Sequence, residues 1–166
     1  MKSAGARPRG STRAATRSTA RSRSRPGLAV DFAALRAAAE AVLVYAHAPY
    51  SRLHVGAAVL DRSGRVFTGV NVENASYGLT VCAERNALAA AVGEGARELA
   101  GLVVVSSAPH AITPCGACRQ VLLELAPALP VRCYGRDGSE LATTVRELLP
   151  HAFAASDVPR TRKRAK

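Results

Sequence analysis

Phe32, Leu35, Ala39, Val42 and Leu43 recur at intervals of three and four along residues 31–46. That spacing lays one apolar stripe along a helix whose other faces meet water. Asp31 supplies the N-terminal cap, and Pro49 ends the segment. Residues 55–60 are almost wholly apolar, which suits a strand covered on both faces. Asp61, Arg62, Ser63 and Gly64 are turn chemistry, so residues 65–73 are expected to return as the antiparallel partner. Asn71 and Glu73 stand two apart there and are expected to share a face, as two polar groups of a site do. A second helix is predicted over residues 80–92, capped by Thr80 or a neighbour and stopped by Gly93 and Gly95. Residues 102–106 hold three successive valines and read as a buried, parallel strand. A third helix is expected over 115–125, before Pro127, and a further strand over 130–134. Arg136, Asp137 and Gly138 turn the chain into a short strand at 140–143. Thr144 and Glu147 have capping-box spacing for a last short helix before Pro150. This order predicts one α/β layered domain with a mixed sheet.

Composition sharpens that picture. Hydrophobic residues are 48% of the 166, and there is no Trp, so the core must be built mostly of Ala, Val and Leu. No apolar run approaches the roughly 20 residues of a membrane span, so no membrane contact is expected. The net charge of +11 suggests nucleic acid until it is divided along the chain. Residues 1–30 carry eight basic residues and no acid, and residues 157–166 carry five basic residues and Asp157. Residues 31–156 hold 10 basic and 11 acidic residues, a net of −1, so the chemistry of this body must be read from sites rather than from its field. Three regions are therefore expected: a basic N-terminal extension over 1–30, a folded domain over 31–156 and a basic C-terminal tail over 157–166. The extension is Arg-, Ser- and Ala-rich and is expected to be disordered, because it has too little apolar surface to offset its ordering entropy. Its readings are a solvated extension, a misplaced start, a nucleic-acid-binding arm or a transit peptide.

Cys82, Cys115, Cys118 and Cys133 are the four cysteines. The sequence has no secretory signal, which points to a reducing, cytoplasmic compartment where close cysteine pairs bind metal or do redox chemistry. Cys115 and Cys118 are three apart at a helix start, so both thiols can face one point, and helix N-terminal amides favour the thiolate. A thioredoxin-like redox pair fits poorly, because Cys82 stands at another helix start. A closed structural zinc site would want a fourth ligand, and Cys133 lies inside a strand. Three thiolates and an open position fit catalytic zinc, Zn2+, one per chain. A thiol with Glu84 two residues on, and a distant Pro114-Cys115 and Cys118, is the signature of zinc deaminases. Glu84 leaves the helix in another direction from Cys82 and can move a proton at the open position. Arg85 shares the helix face of Cys82, where a guanidinium can draw charge off the thiolates, and Arg119 beside Cys118 can help.

With these residues the chain resembles the small homotetrameric cytidine deaminases. The likeness runs through Ala48-Pro49-Tyr50-Ser51, Val55-Gly56-Ala57, Asn71 to Tyr77, Cys82-Ala83-Glu84-Arg85, Pro114 to Gln120 and Leu148-Leu149-Pro150. It implies a three-layer α/β/α fold with a mixed five-stranded sheet. It implies hydrolytic deamination of cytidine and 2'-deoxycytidine in pyrimidine salvage, by water attack at C4 with Glu84 shuttling protons. It further implies that Asn71 and Glu73 bind the ribose hydroxyls, that backbone at Ala83 holds the base, and that Phe153 stacks on the base in a neighbouring subunit. One position departs from the family pattern: Leu53 stands where an aromatic is usual. His54 and the other three histidines match no ligand position. Within the same chemistry the alternative is a blasticidin-S-type deaminase; from another class it is a nucleic-acid-binding protein acting through its basic arms.

Overall fold

Five strands form one mixed sheet in the order β2-β1-β3-β4-β5. They are β1 (Val55–Asp61), β2 (Val66–Val70), β3 (Leu99–Ser106), β4 (Pro130–Tyr134) and β5 (Glu140–Thr144). The helices are α1 (Phe32–Val42), α2 (Ala83–Gly93), α3 (Gly116–Leu125) and the single turn α4 (Val145–Leu148). This computed structural model describes residues 29–159. The expected extension and tail fall almost wholly outside the described residues.

The continuous apolar runs are explained by cover on both faces. Ala57, Val59, Leu102, Val104, Val131 and Cys133 point to one side, against Ala83, Ala87 and Leu88 of α2 and Leu122 of α3. Ala58, Leu60, Val103 and Val105 point to the other, against Leu35 and Ala39 of α1. The result is the expected three-layer α/β/α domain. Among the described residues no helix is long and apolar enough to cross a membrane.

Several boundaries differ from the sequence reading. The first helix ends at Val42 and tightens into a 3-10 turn at Leu43–Tyr45. β2 stops at Val70 rather than running to residue 73, because Val72 leaves the sheet to bridge His47 and Val81. Asn71 and Glu73 are therefore loop residues, held by side-chain bonds to residues 50–55 rather than set by strand alternation. β3 begins at Leu99; it runs parallel to β4 but antiparallel to β1. Cys82, not Thr80, is the N-terminal cap of α2.

The hairpin between β1 and β2 is held by one buried carboxylate. Asp61 accepts hydrogen bonds from the Ser63 hydroxyl at 2.6 Å and the Arg65 amide at 2.9 Å, and pairs with the Arg65 guanidinium at 2.9 Å. Burial alone pushes its pKa up, but these bonds outweigh burial and hold it below the usual carboxylate range. A lowered folded-state pKa stabilises above the unfolded value, near 4, and that stability is lost as pH falls through the folded value. Asp61→Asn is expected to cost about 1–3 kcal/mol at pH 7. In thermal melts the gap between wild type and variant should narrow between pH 7 and pH 3; a constant gap would remove the charge from this role.

Gly69 on β2 lets α2 sit directly on the sheet. A Cβ there would lie 2.6 Å from the Ala83 carbonyl and closer still to the Ala87 amide, both backbone atoms of α2 that cannot swing aside. Gly69→Ala is therefore expected to destabilise by about 1–3 kcal/mol. It should also lower turnover, because α2 begins with Ala83 and Glu84; a full-strength enzyme with unchanged melting would contradict this.

Candidate active site

The topology brings two helix starts to one place. β2 and β3 are both antiparallel to β1, so they run the same way. α2 follows β2 and α3 follows β3, so both helices begin at the same end of the sheet. In α/β sheets that is where ligands bind. Cys82 caps α2 and Cys115 caps α3, both in extended backbone, and neither sulfur is spent on a capping bond. Cys118 lies one turn into α3 and is fully buried.

The three sulfurs converge. Cys115 Sγ stands 3.6 Å from Cys82 Sγ and 3.6 Å from Cys118 Sγ, and all three lie within 4.8 Å of one another. Ligands about 2.3 Å from a tetrahedral zinc stand about 3.8 Å apart. The thiols therefore fit zinc with one position left open, as their spacing in sequence suggests. The neighbouring Cys118 thiol, and then Arg85 and Cys115, outweigh burial and hold the Cys82 thiol down at about 5. The Cys82 sulfur, and then burial, push the Cys118 thiol up. A cation at their centre would remove that mutual opposition. Cys133 stays apart from the cluster: it sits in the core on β4, and burial pushes its thiol up to about 12.

Glu84 is 4% exposed beside these thiols. Burial, and then the charge of Cys82, push its pKa above the ordinary carboxylate range. Ala83 is the first residue of α2, where backbone amides have no partner within the helix. Arg85 donates to the Thr80 carbonyl at 3.1 Å and to Cys82 Sγ at 3.7 Å. Arg119 does not share that task. Its donors go to the Pro114 carbonyl at 2.6 Å, the Thr113 hydroxyl at 2.7 Å and the Leu148 carbonyl at 3.0 Å. It braces the loop that carries Cys115 instead.

Asn71 and Glu73 meet the loop before β1. Asn71 is buried; its amide donates to the Leu53 carbonyl at 2.8 Å and its oxygen accepts from the Val55 amide at 2.8 Å. Glu73 accepts from the amides of Tyr50 at 2.9 Å and Ser51 at 3.2 Å, and from the Ser51 hydroxyl. The Ser51 hydroxyl bond leads the effects that hold the Glu73 carboxyl below its ordinary range. Tyr50, Ser51, Glu73, Tyr77 and Thr80 line an open cleft of about 370 Å3. Leu53 is half-buried at its edge of the fold, tied by Asn71 and by the Ser51 hydroxyl.

Phe153 does not join this group. It is 64% exposed on the C-terminal segment. Residues that pattern reasoning passed over include Tyr50 and Tyr77, which pack edge to face at 6.1 Å. Both stood in plain view inside the Ala48 to Ser51 and Asn71 to Tyr77 blocks. Thr113 had no signal beyond its place beside the cysteines.

Known proteins are similar to this chain. The family model for the cytidine and deoxycytidylate deaminase zinc-binding region matches residues 33–131. A cytidine deaminase of Halalkalibacterium halodurans is 51% identical over 114 residues, covering 68% of this chain and 86% of the relative. One from Mycobacterium tuberculosis is 43% identical over 141 residues, covering 81% and 98%. The crystal structure of cytidine deaminase from Burkholderia pseudomallei superposes with a TM-score of 0.72 at 48% identity, covering 75% of this chain and all of that one. A matched zinc-binding region, three converging thiols and the same sheet place the chain in the cytidine and deoxycytidylate deaminase family of enzymes.

Proposed function

We propose that this chain hydrolyses cytidine and 2'-deoxycytidine to uridine and 2'-deoxyuridine. The observation that carries this reading is the buried Glu84 beside three thiols set at zinc-ligand spacing. Cys82, Cys115 and Cys118 would hold one zinc per chain, and that ion would supply Lewis acidity to the hydrolysis. Glu84 takes a proton from the attacking water and delivers it to the departing amine, so the group leaves C4 as ammonia. Arg85 offsets the charge of three thiolates at Cys82. The first-turn amide of Ala83 holds the base, and Leu53 packs beside it. Asn71 and Glu73 take the ribose hydroxyls, with their present bonds to residues 50–55 fixing both groups in place.

Exposed apolar residues support assembly. Val44, Tyr45, Tyr77, Leu79 and Phe153 are each more than 60% exposed, at 79, 74, 76, 67 and 64%. A homotetramer covers such residues and lets Phe153 stack on a neighbour's base, by roughly 1–3 kcal/mol. Work in cytoplasmic pyrimidine salvage follows from this reading, with residues 31–156 as the deaminase domain. The basic ends lie outside the reaction: removing residues 1–28 should leave cytidine turnover unchanged, and any nucleic-acid binding should go with them.

The test is direct. Cytidine, deoxycytidine and blasticidin S are added to separate samples and the ultraviolet change is followed. Conversion of the two nucleosides is expected. Conversion of blasticidin S alone overturns the substrate assignment.

A further inference from the structure

One side-chain hydrogen bond ties the segment beyond α4 to α3, and another ties the end of α4 itself. Beyond α4, the described chain forms only a three-residue turn, Ala155–Asp157. The backbone bonds of residues 149–158 run back no further than Arg146. Two residues of α3 reach across, one to the last residue of α4 and one to the segment beyond it. Arg119 Nη1 donates to the Leu148 carbonyl at 3.0 Å, and Gln120 Nε2 donates to the Phe153 carbonyl at 2.8 Å. Among the described residues, these are the hydrogen bonds joining residues 148–158 to the elements before α4.

Arg119 and Gln120 directly follow Cys118, and Arg119 also clamps Thr113 and Pro114 on the loop before Cys115. We infer that Arg119 and Gln120 are positioning residues, tying the placement of Phe153 to the turn that carries two of the thiols. This rests on the reading of Phe153 as a contact to the base. A segment with so few anchors fluctuates once one is lost, since little else opposes local opening. Gln120 can be tested alone, because it is partly exposed and touches no thiol in the hydrogen-bond network.

The full-length, zinc-loaded protein is compared with Gln120→Glu and Gln120→Ala. Gln120→Glu keeps the shape but leaves only acceptors facing the Phe153 carbonyl. Both variants should keep their zinc, raise KM for cytidine roughly fivefold and change kcat little. Amide exchange over residues 149–158, read by mass spectrometry, should quicken in both. Phe153→Ala should raise KM, and adding Gln120→Glu to it should raise KM no further, because the two act through one contact. Unchanged exchange and KM in both Gln120 variants overturn the tether. An effect in Gln120→Ala but none in Gln120→Glu also overturns it, since shape rather than the donor would then matter. Faster exchange with normal KM in every variant, Phe153→Ala included, supports the tether and overturns the role of Phe153.

Discussion

Glu84→Gln is expected to keep zinc at the wild-type level and lose turnover of cytidine by roughly two to four orders of magnitude. The side chain is 4% exposed at the first turn of α2, so the substitution changes almost nothing in volume or packing. It removes the buried carboxyl beside the thiols, which can accept a proton from water and hand it to an amine. Burial makes this role available: the pressure that raises the Glu84 pKa brings its proton affinity closer to that needed near neutral pH. KM should move little, because the carboxyl acts on groups whose charge develops during the reaction. Metal content and initial rates on the same sample check both halves. Near-normal rates would take the proton transfer away from Glu84, and lost zinc would make it part of the metal site.

Cys118→Ser is expected to lose most of the bound zinc and, with it, activity. Cys118 is fully buried and its sulfur is 3.6 Å from Cys115 Sγ. A hydroxyl is a poor ligand where a thiolate is wanted, and unfilled it is a buried polar group costing about 1–3 kcal/mol. Stability should fall further, since a bound metal stabilises the fold that holds it. Cys133→Ala is the control. It should lower the melting temperature, because it opens space in the core between α3 and the sheet, yet retain zinc. If Cys133→Ala sheds zinc while Cys118→Ser keeps it, the ligand set is wrong.

Much of the fold was legible because its apolar runs are long. Residues 55–60 and 102–106 suit strands covered on both faces, and α1 on one side with α2 and α3 on the other cover them as that requires. What was not legible depended on contacts across the chain. Nothing local says that β2 stops at Val70; the bridges of Val72 to His47 and Val81 end it. Thr80 has the better capping side chain, yet helix α2 starts after Cys82, because Thr80 is spent on the loop that holds Asn74 and Arg85. The thiol cluster was readable from spacing alone, since a three-residue step on one helix and a helix start elsewhere leave few geometries. Arg119 was not: position beside Cys118 suggested the sulfurs, and the carbonyls of Pro114 and Leu148 won its donors. Neither was the anchoring of Phe153, since Gln120 meets it across 33 residues of sequence.

The most direct test is a zinc titration of the metal-stripped, full-length protein, reading ammonia released from cytidine. Activity should be absent at the start, rise linearly with added zinc and break once, at one zinc per chain. Full turnover in the stripped protein, or none at saturating zinc, would contradict a deaminase built on Cys82, Cys115, Cys118 and Glu84.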